Sequence, residues 1–191
     1  ESGLQASYIF PGGVEARLYL INGYNVIEDD NRNRAAGAYL VFSTDNFSIS
    51  YAGHYGNEHN YAVGGNSLRI YNNIVLWTRP VSNFEVEAQF DLATQDDAPV
   101  TEKMGMMSGA ILALRYSVTN AWSVTVRGEY LDDDDKVVST GLKAMGVTGS
   151  LEYKPTPTSF IRAEERLLRL SDDHKLFLNS NNKAVPSRMK T

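Results

Sequence analysis

The residues of this chain best equipped for chemistry are carboxylates. Asp132 to Asp135 stand in unbroken succession, and Lys136 follows them. Carboxylate oxygens suit a calcium ion, but a calcium loop spaces its ligands at alternate positions and bends at a glycine. Neither feature is present, so the run is expected to be a solvated hairpin loop, the usual setting for a block of like charge. Asp29-Asp30-Asn31-Arg32-Asn33-Arg34 is a second charged segment; it is expected at the surface, with inward folding as the alternative. His54 and His59 lie on either side of Glu58, and His174 follows Asp172-Asp173. A metal centre needs three or four converging ligands, and these do not supply them, so no metal site is assigned. Gly-x-Ser-x-Gly is absent, and neither Ser139 nor Ser150 has a base at a recognisable spacing. No catalytic residue and no cofactor is therefore expected.

The elements that must position these side chains are strands. Phe84, Val86, Ala88, Phe90 and Leu92 alternate with Glu85, Glu87, Gln89 and Asp91. A period of two places one row in an apolar environment and the other in water. Val14 to Asn22, Phe47 to Tyr55, Ala110 to Val118, Trp122 to Tyr130 and Met145 to Tyr153 follow the same pattern. The count is about ten strands of roughly nine to eleven residues, the length that crosses a tilted path through a bilayer. Two segments fit less well. Leu68 to Arg79 carries Asn72 and Asn73 in sequence, so one Asn faces outward or a bulge shifts the phase. Phe160 to Leu170 places Glu165 in the row of Ile161, Ala163 and Leu167, which calls for a bulge or for an outer half that rises above the membrane.

Turns and loops alternate in length. Pro11 to Gly13, Asp45-Asn46, Arg79 to Asn83, Thr119 to Ala121 and Pro155 to Thr158 are short. Gly23 to Arg34, Gly56 to Gly65, Thr94 to Met107, Leu131 to Lys143 and the tail from Ser171 are long and polar. If the strands run up and down, all short turns fall on one side, as in an outer-membrane barrel. The mean hydropathy is negative, which a barrel shares with soluble proteins because half of each strand faces water. No apolar run approaches the ~18 residues of a transmembrane helix, so a closed barrel is the way this chain can satisfy its backbone in lipid. There is no cysteine, hence no disulfide frame, and the net charge of −5 without a basic stripe argues against a nucleic-acid partner.

The polar rows nominate Glu15, Arg17, Glu85, Glu87, Asp91, Arg115, Arg127, Glu129, Glu152, Arg162, Glu164 and Arg166 as lining residues. Two readings remain open. The charges line a water-filled lumen and shape its field, or they zip into cross-strand ion pairs that fill a narrow barrel. Aromatic residues beside the short turns, among them Phe47, Trp77, Phe84, Tyr116, Trp122 and Tyr153, are expected to form a girdle at the membrane interface.

Three stretches carry a family resemblance. Leu20 to Asn31 (LINGYNVIEDDN) resembles a segment of the putative beta-barrel porin-2, OmpL-like group. Leu114 to Asp135 (LRYSVTNAWSVTVRGEYLDDDD) is similar to that family's strand, aromatic tight turn, R-G-E-Y and acidic loop. Tyr153 to Pro157 followed by Phe160 to Glu164 is similar to its Y-K-P-T-P and L-R-A-E segment. The resemblance covers roughly residues 1–168. It implies an antiparallel up-and-down transmembrane β-barrel in the bacterial outer membrane, in contact with the lipid bilayer. It also implies no dedicated cofactor and passive, weakly selective passage of small hydrophilic solutes or ions; a homo-oligomer is compatible with it. A non-conducting structural or surface-interaction barrel is the rival, and an enzyme at the barrel rim comes third. The chain departs from the family pattern at Glu165, where an aromatic is favoured, and at Ser187 to Thr191, where a closing strand ends on an aromatic. The expectation is therefore a fragment of a larger barrel, with strands and loops over 1–170. Residues 171–191 are expected to be an extracellular loop or a truncated segment leading to a missing closing strand.

Overall fold

The computed structural model describes residues 2–23, 33–60, 65–96, 104–138 and 141–171, and two short strands beyond them. Ten strands follow in chain order: β1 (Gly3–Phe10), β2 (Val14–Ile21), β3 (Ala35–Ser43), β4 (Phe47–Asn60), β5 (Gly65–Val81), β6 (Phe84–Gln95), β7 (Gly105–Ser117), β8 (Trp122–Asp132), β9 (Lys143–Thr156) and β10 (Ser159–Leu170). Each pairs antiparallel with the next in one up-and-down sheet. The sheet is open: β1 and β10 are its edges and do not pair with each other. The small strands β11 (Phe177–Leu178) and β12 (Ala184–Val185) pair separately. The described residues contain no helix able to cross a membrane. All five short turns lie at one end of the sheet, as the alternation of segment lengths predicts.

The register gives the sheet two unlike faces. One carries Leu18, Leu40, Ile74, Phe90, Leu112, Val126, Val147 and Leu167, all exposed. In water a monomer seldom exposes an apolar patch beyond a few hundred Å², and here the apolar side chains run along the whole sheet. The band between Trp122 and Tyr130 on β8 matches Met145 to Tyr153 on β9. Nine residues tilted by about 40° rise about 20 Å, close to the apolar height of a membrane barrel.

Both awkward segments keep their phase. Asn72 lies on the apolar face, because β5 pairs with β4 without interruption from Thr78 to Gly65. It faces Gly53, the ring of Tyr51 covers that glycine, and the Tyr51 hydroxyl donates to Asn72 Oδ1 at 2.7 Å. An aromatic ring fills the gap a strand glycine leaves, and its phenol gives the amide a partner. The irregularity of β5 instead falls between Thr78 and Val81, where Pro80 has no N–H for the ladder. On β10 the expected irregularity falls at the turn end, between Ser159 and Ile161; from Ile161 to Leu170 the register is unbroken, so Glu165 stays on the apolar face opposite Gly149. Gly149 is midway between Met145 and Tyr153, which puts the carboxylate at the middle of the band.

A mid-band carboxylate destabilises a membrane strand, by less than the ~2–4 kcal/mol of a cation. Glu165→Leu is therefore expected to raise stability by about 1 kcal/mol, read as a higher urea midpoint in lipid vesicles. A lower midpoint would mean that the carboxylate has a partner in the membrane.

One loop assignment changes. Gly56 to Gly65, expected to be a long loop, is mostly strand: the ladder runs through Asn57↔Leu68, Glu58↔Ser67 and His59↔Asn66 to Asn60↔Gly65. The polar side chains of this stretch resemble a loop, yet the ladder satisfies their backbone groups and needs no apolar residues to do so.

Candidate functional site: the charged face of the sheet

Alternation places Glu15, Arg17, Glu85, Glu87, Asp91, Arg115, Arg127, Glu129, Glu152, Arg162, Glu164 and Arg166 on the face opposite the apolar band. On β7 to β10 they form rungs. Glu152, only 4% exposed, accepts from Arg115 Nη2 at 2.6 Å and from both Nε and Nη2 of Arg162, and Lys154 Nζ lies 3.7 Å away. Arg115 reaches past β8 to do this because Ser123 and Thr125 are the residues between. In the second rung Glu129 accepts from Arg166 at 2.6 Å, with Arg127 Nε at 3.9 Å. Gly146 makes room for it, since a side chain there would strike the Glu129 carboxylate.

The acidic strand β6 behaves differently. Glu85 pairs with Arg79 at 3.1 Å, although Arg115 lies directly opposite in the register. Asp91 is held by neutral donors: the Tyr71 hydroxyl, Asn73 Nδ2 at 2.8 Å and Gln89 Nε2 at 2.7 Å. Glu87 is exposed. A cavity of about 300 Å³ near the short-turn end is lined by Glu85, Glu87, Arg115, Arg127, Arg162 and Trp77. On β2, Arg17 pairs with Glu15 and lies 5.2 Å from the Tyr39 ring centroid.

Trp77 is a correction. It pairs with Ser48 and Glu87 on the charged face, and the Arg79 guanidinium sits 5.1 Å from its ring centroid. The phase of β5 therefore takes it off the face on which the girdle is expected. Phe47, Phe84, Tyr116, Trp122 and Tyr153 do share the apolar face beside the short turns, and Trp122 stacks on Tyr153 at 4.5 Å.

The acidic segment after β8 is a second correction. It is not a solvated loop throughout: Asp133 is 0% exposed and Val137 1%. The Asp133 carboxylate accepts the backbone N–H of Val137 at 2.7 Å and of Val138 at 3.3 Å. Val137 packs with Ala93 and Met107, beside Tyr71, Leu131 and Val138. Asp135 Oδ2 accepts the N–H of Met106 at 2.9 Å. At the base, Lys143 Nζ bonds Asp132 at 2.7 Å and Asp134 at 3.4 Å. That pair lies beyond the last apolar pair, Tyr130↔Met145. The Lys143 hydrogen bond holds the Asp132 carboxyl below its usual range, and the Asp132 hydrogen bond raises the Lys143 ammonium.

Residue type alone had not nominated Asp133 and Val137 as a folded unit. Ala93, Met107 and Leu131 are apolar residues at the loop ends of the charged-face rows, but Ile111 and Ala113 share the row of Met107, so residue type alone does not single the three out. Elsewhere, His54 Nε2 lies 2.9 Å from Glu58 Oε1, both nearly buried. Among the described residues no three potential metal ligands converge. Asp29 to Arg32, Ser139 and His174 lie outside the described residues, as does the side chain of His59.

An up-and-down antiparallel sheet with a continuous apolar band outside, aromatics at one rim and charge on the other face has the construction of a β-barrel wall. The family model described as Putative beta-barrel porin-2, OmpL-like matches residues 1–189, and the chain belongs to that family. No curated protein and no solved structure matches it.

Proposed function

We propose that the chain builds the wall of a bacterial outer-membrane channel through which small hydrophilic solutes diffuse passively with weak ion selectivity. The observation that carries this reading is the segregation of charge on the inner face. On β2 to β6 that face holds Glu15, Glu58, Glu85, Glu87 and Asp91 against Arg17, Arg69 and Arg79. On β7 to β10 it holds Arg115, Arg127, Lys154, Arg162 and Arg166 against Glu129, Glu152 and Glu164. One arc is net acidic and the other net basic, so a curved wall directs a field across the lumen. The sum over both arcs is near zero, which is why selectivity is weak.

The rungs around Glu129 and Glu152 favour a second reading, a non-conducting structural barrel whose charges are internal bridges. They follow the wall, however, and leave Glu87 and the 300 Å³ cavity open beside them. Single-channel recording in planar bilayers separates the two: discrete ohmic steps support the channel, and a folded, inserted but silent protein sinks it. In a conducting barrel, E85Q/E87Q is expected to move the reversal potential in a salt gradient toward anion preference. An unchanged potential would remove these carboxylates from the conduction path.

A further inference from the structure

We infer that Asp133–Val138 is a fixed inward constriction that sets the size limit of the channel, with Val137 as its anchor; the inference rests on the channel reading above. Four observations converge. Ala93 and Met107, which receive Val137, are paired across β6 and β7 on the charged face, so the segment leaves β8 and lies back against the inner wall. Its anchor sits two strands away, about 10 Å sideways at the usual strand spacing. A chain segment packed on a sheet adds a layer about as thick as the gap between stacked sheets, roughly 10 Å, which is a large part of a modest lumen.

The wall is built to receive it. Apolar side chains also occur elsewhere on this face, among them Val75, Ile111 and Leu168, but Ala93, Met107 and Leu131 lie together at the loop end of β6 to β8, where Val137 and Val138 pack against them. The segment is also held in shape from within. Asp133 caps two of its own N–H groups, Asp135 accepts from the edge of β7 at Met106, and Lys136 adopts a positive φ of 59° to make the bend. Such a network specifies one conformation. Lys136 is exposed on the segment, as is Asp134, which lies 3.4 Å from Lys143 Nζ.

The test uses the full chain in planar bilayers, with unit conductance and exclusion of neutral polyethylene glycols of graded size as readouts. Val137→Asp should undock the segment, raise unit conductance about two-fold and admit larger polymers. As a control for folding, Ala93→Cys/Val137→Cys ties the anchor to its socket; the chain has no other cysteine to mispair. The tied protein should keep wild-type conductance and cut-off. A conducting wild type whose Val137→Asp variant folds and inserts with the same conductance and cut-off overturns the inference, as does failure of the cysteine pair to form. A silent wild type with a conducting Val137→Asp variant supports inward docking and makes the segment a complete plug. Silence in both, with both folded and inserted, defeats the channel reading and takes this inference with it.

Discussion

Glu152→Ala is expected to destabilise the protein by about 2–3 kcal/mol and to shift ion preference toward anions. The carboxylate is nearly buried, and Arg115, Arg162 and Lys154 converge on it. Its removal leaves three cations around an empty space on the basic arc. Breaking a buried pair from one side costs about 3–5 kcal/mol. Here both guanidiniums are partly exposed, 25% and 42% at the side chain, so water screens part of the repulsion and the lower figure applies. Glu152→Gln keeps the shape and an acceptor but loses the charge. It should cost less stability than the alanine variant while moving selectivity just as far. Urea titration in vesicles gives the first quantity and the reversal potential the second. An alanine variant with an unchanged midpoint would mean that the rung contributes no stability.

The second large effect lies at the turn between β1 and β2. Gly12 and Gly13 both have positive φ, 87° and 86°. A Cβ on Gly12 would meet nothing, whereas one on Gly13 would overlap the carbonyl oxygen of Ser43, whose own N–H donates to Gly13 O at 2.8 Å. Gly12→Ala bears only the left-handed backbone term, about 1 kcal/mol. Gly13→Ala adds a collision with backbone that is fixed in the β2–β3 pairing, for a total of about 3 kcal/mol. The neighbouring glycine is thus an internal control. Equal losses in refolding midpoint would show that the Ser43 contact is immaterial.

Much of this architecture was readable from residue order. Strict alternation in Phe84 to Leu92 and Trp122 to Tyr130 specifies faces directly, because a strand has a period of two and no other freedom. The twelve charged positions fall on one face for that reason alone. Trp77 was misread because aromatics were grouped by nearness to a turn, while its face depends on Asn72 lying outward, and that depends on a tyrosine of the neighbouring strand. The ion-pair partners were not readable either. Glu85 stands opposite Arg115 in the register yet pairs with Arg79, a choice set by side-chain reach and by the small residues on β8. The inward segment was the largest gap: a run of four aspartates suggests water, and the burial of Asp133 depends on backbone donors that exist only once the loop has folded.

The hairpin of β4 and β5 continues as a regular ladder for several pairs beyond the apolar band, to Asn60↔Gly65. Each pair adds about 3.4 Å, so a two-stranded ribbon extends past the apolar band on the side away from the tight turns. An antibody or designed binder that grips such a ribbon meets backbone that is already ordered, and surrenders little conformational entropy in doing so. The opposite rim offers only turns of a few residues. The two ends of the sheet therefore present very unequal epitopes, and if the wall is inserted in a membrane, a labelled binder raised against the ribbon would report its orientation.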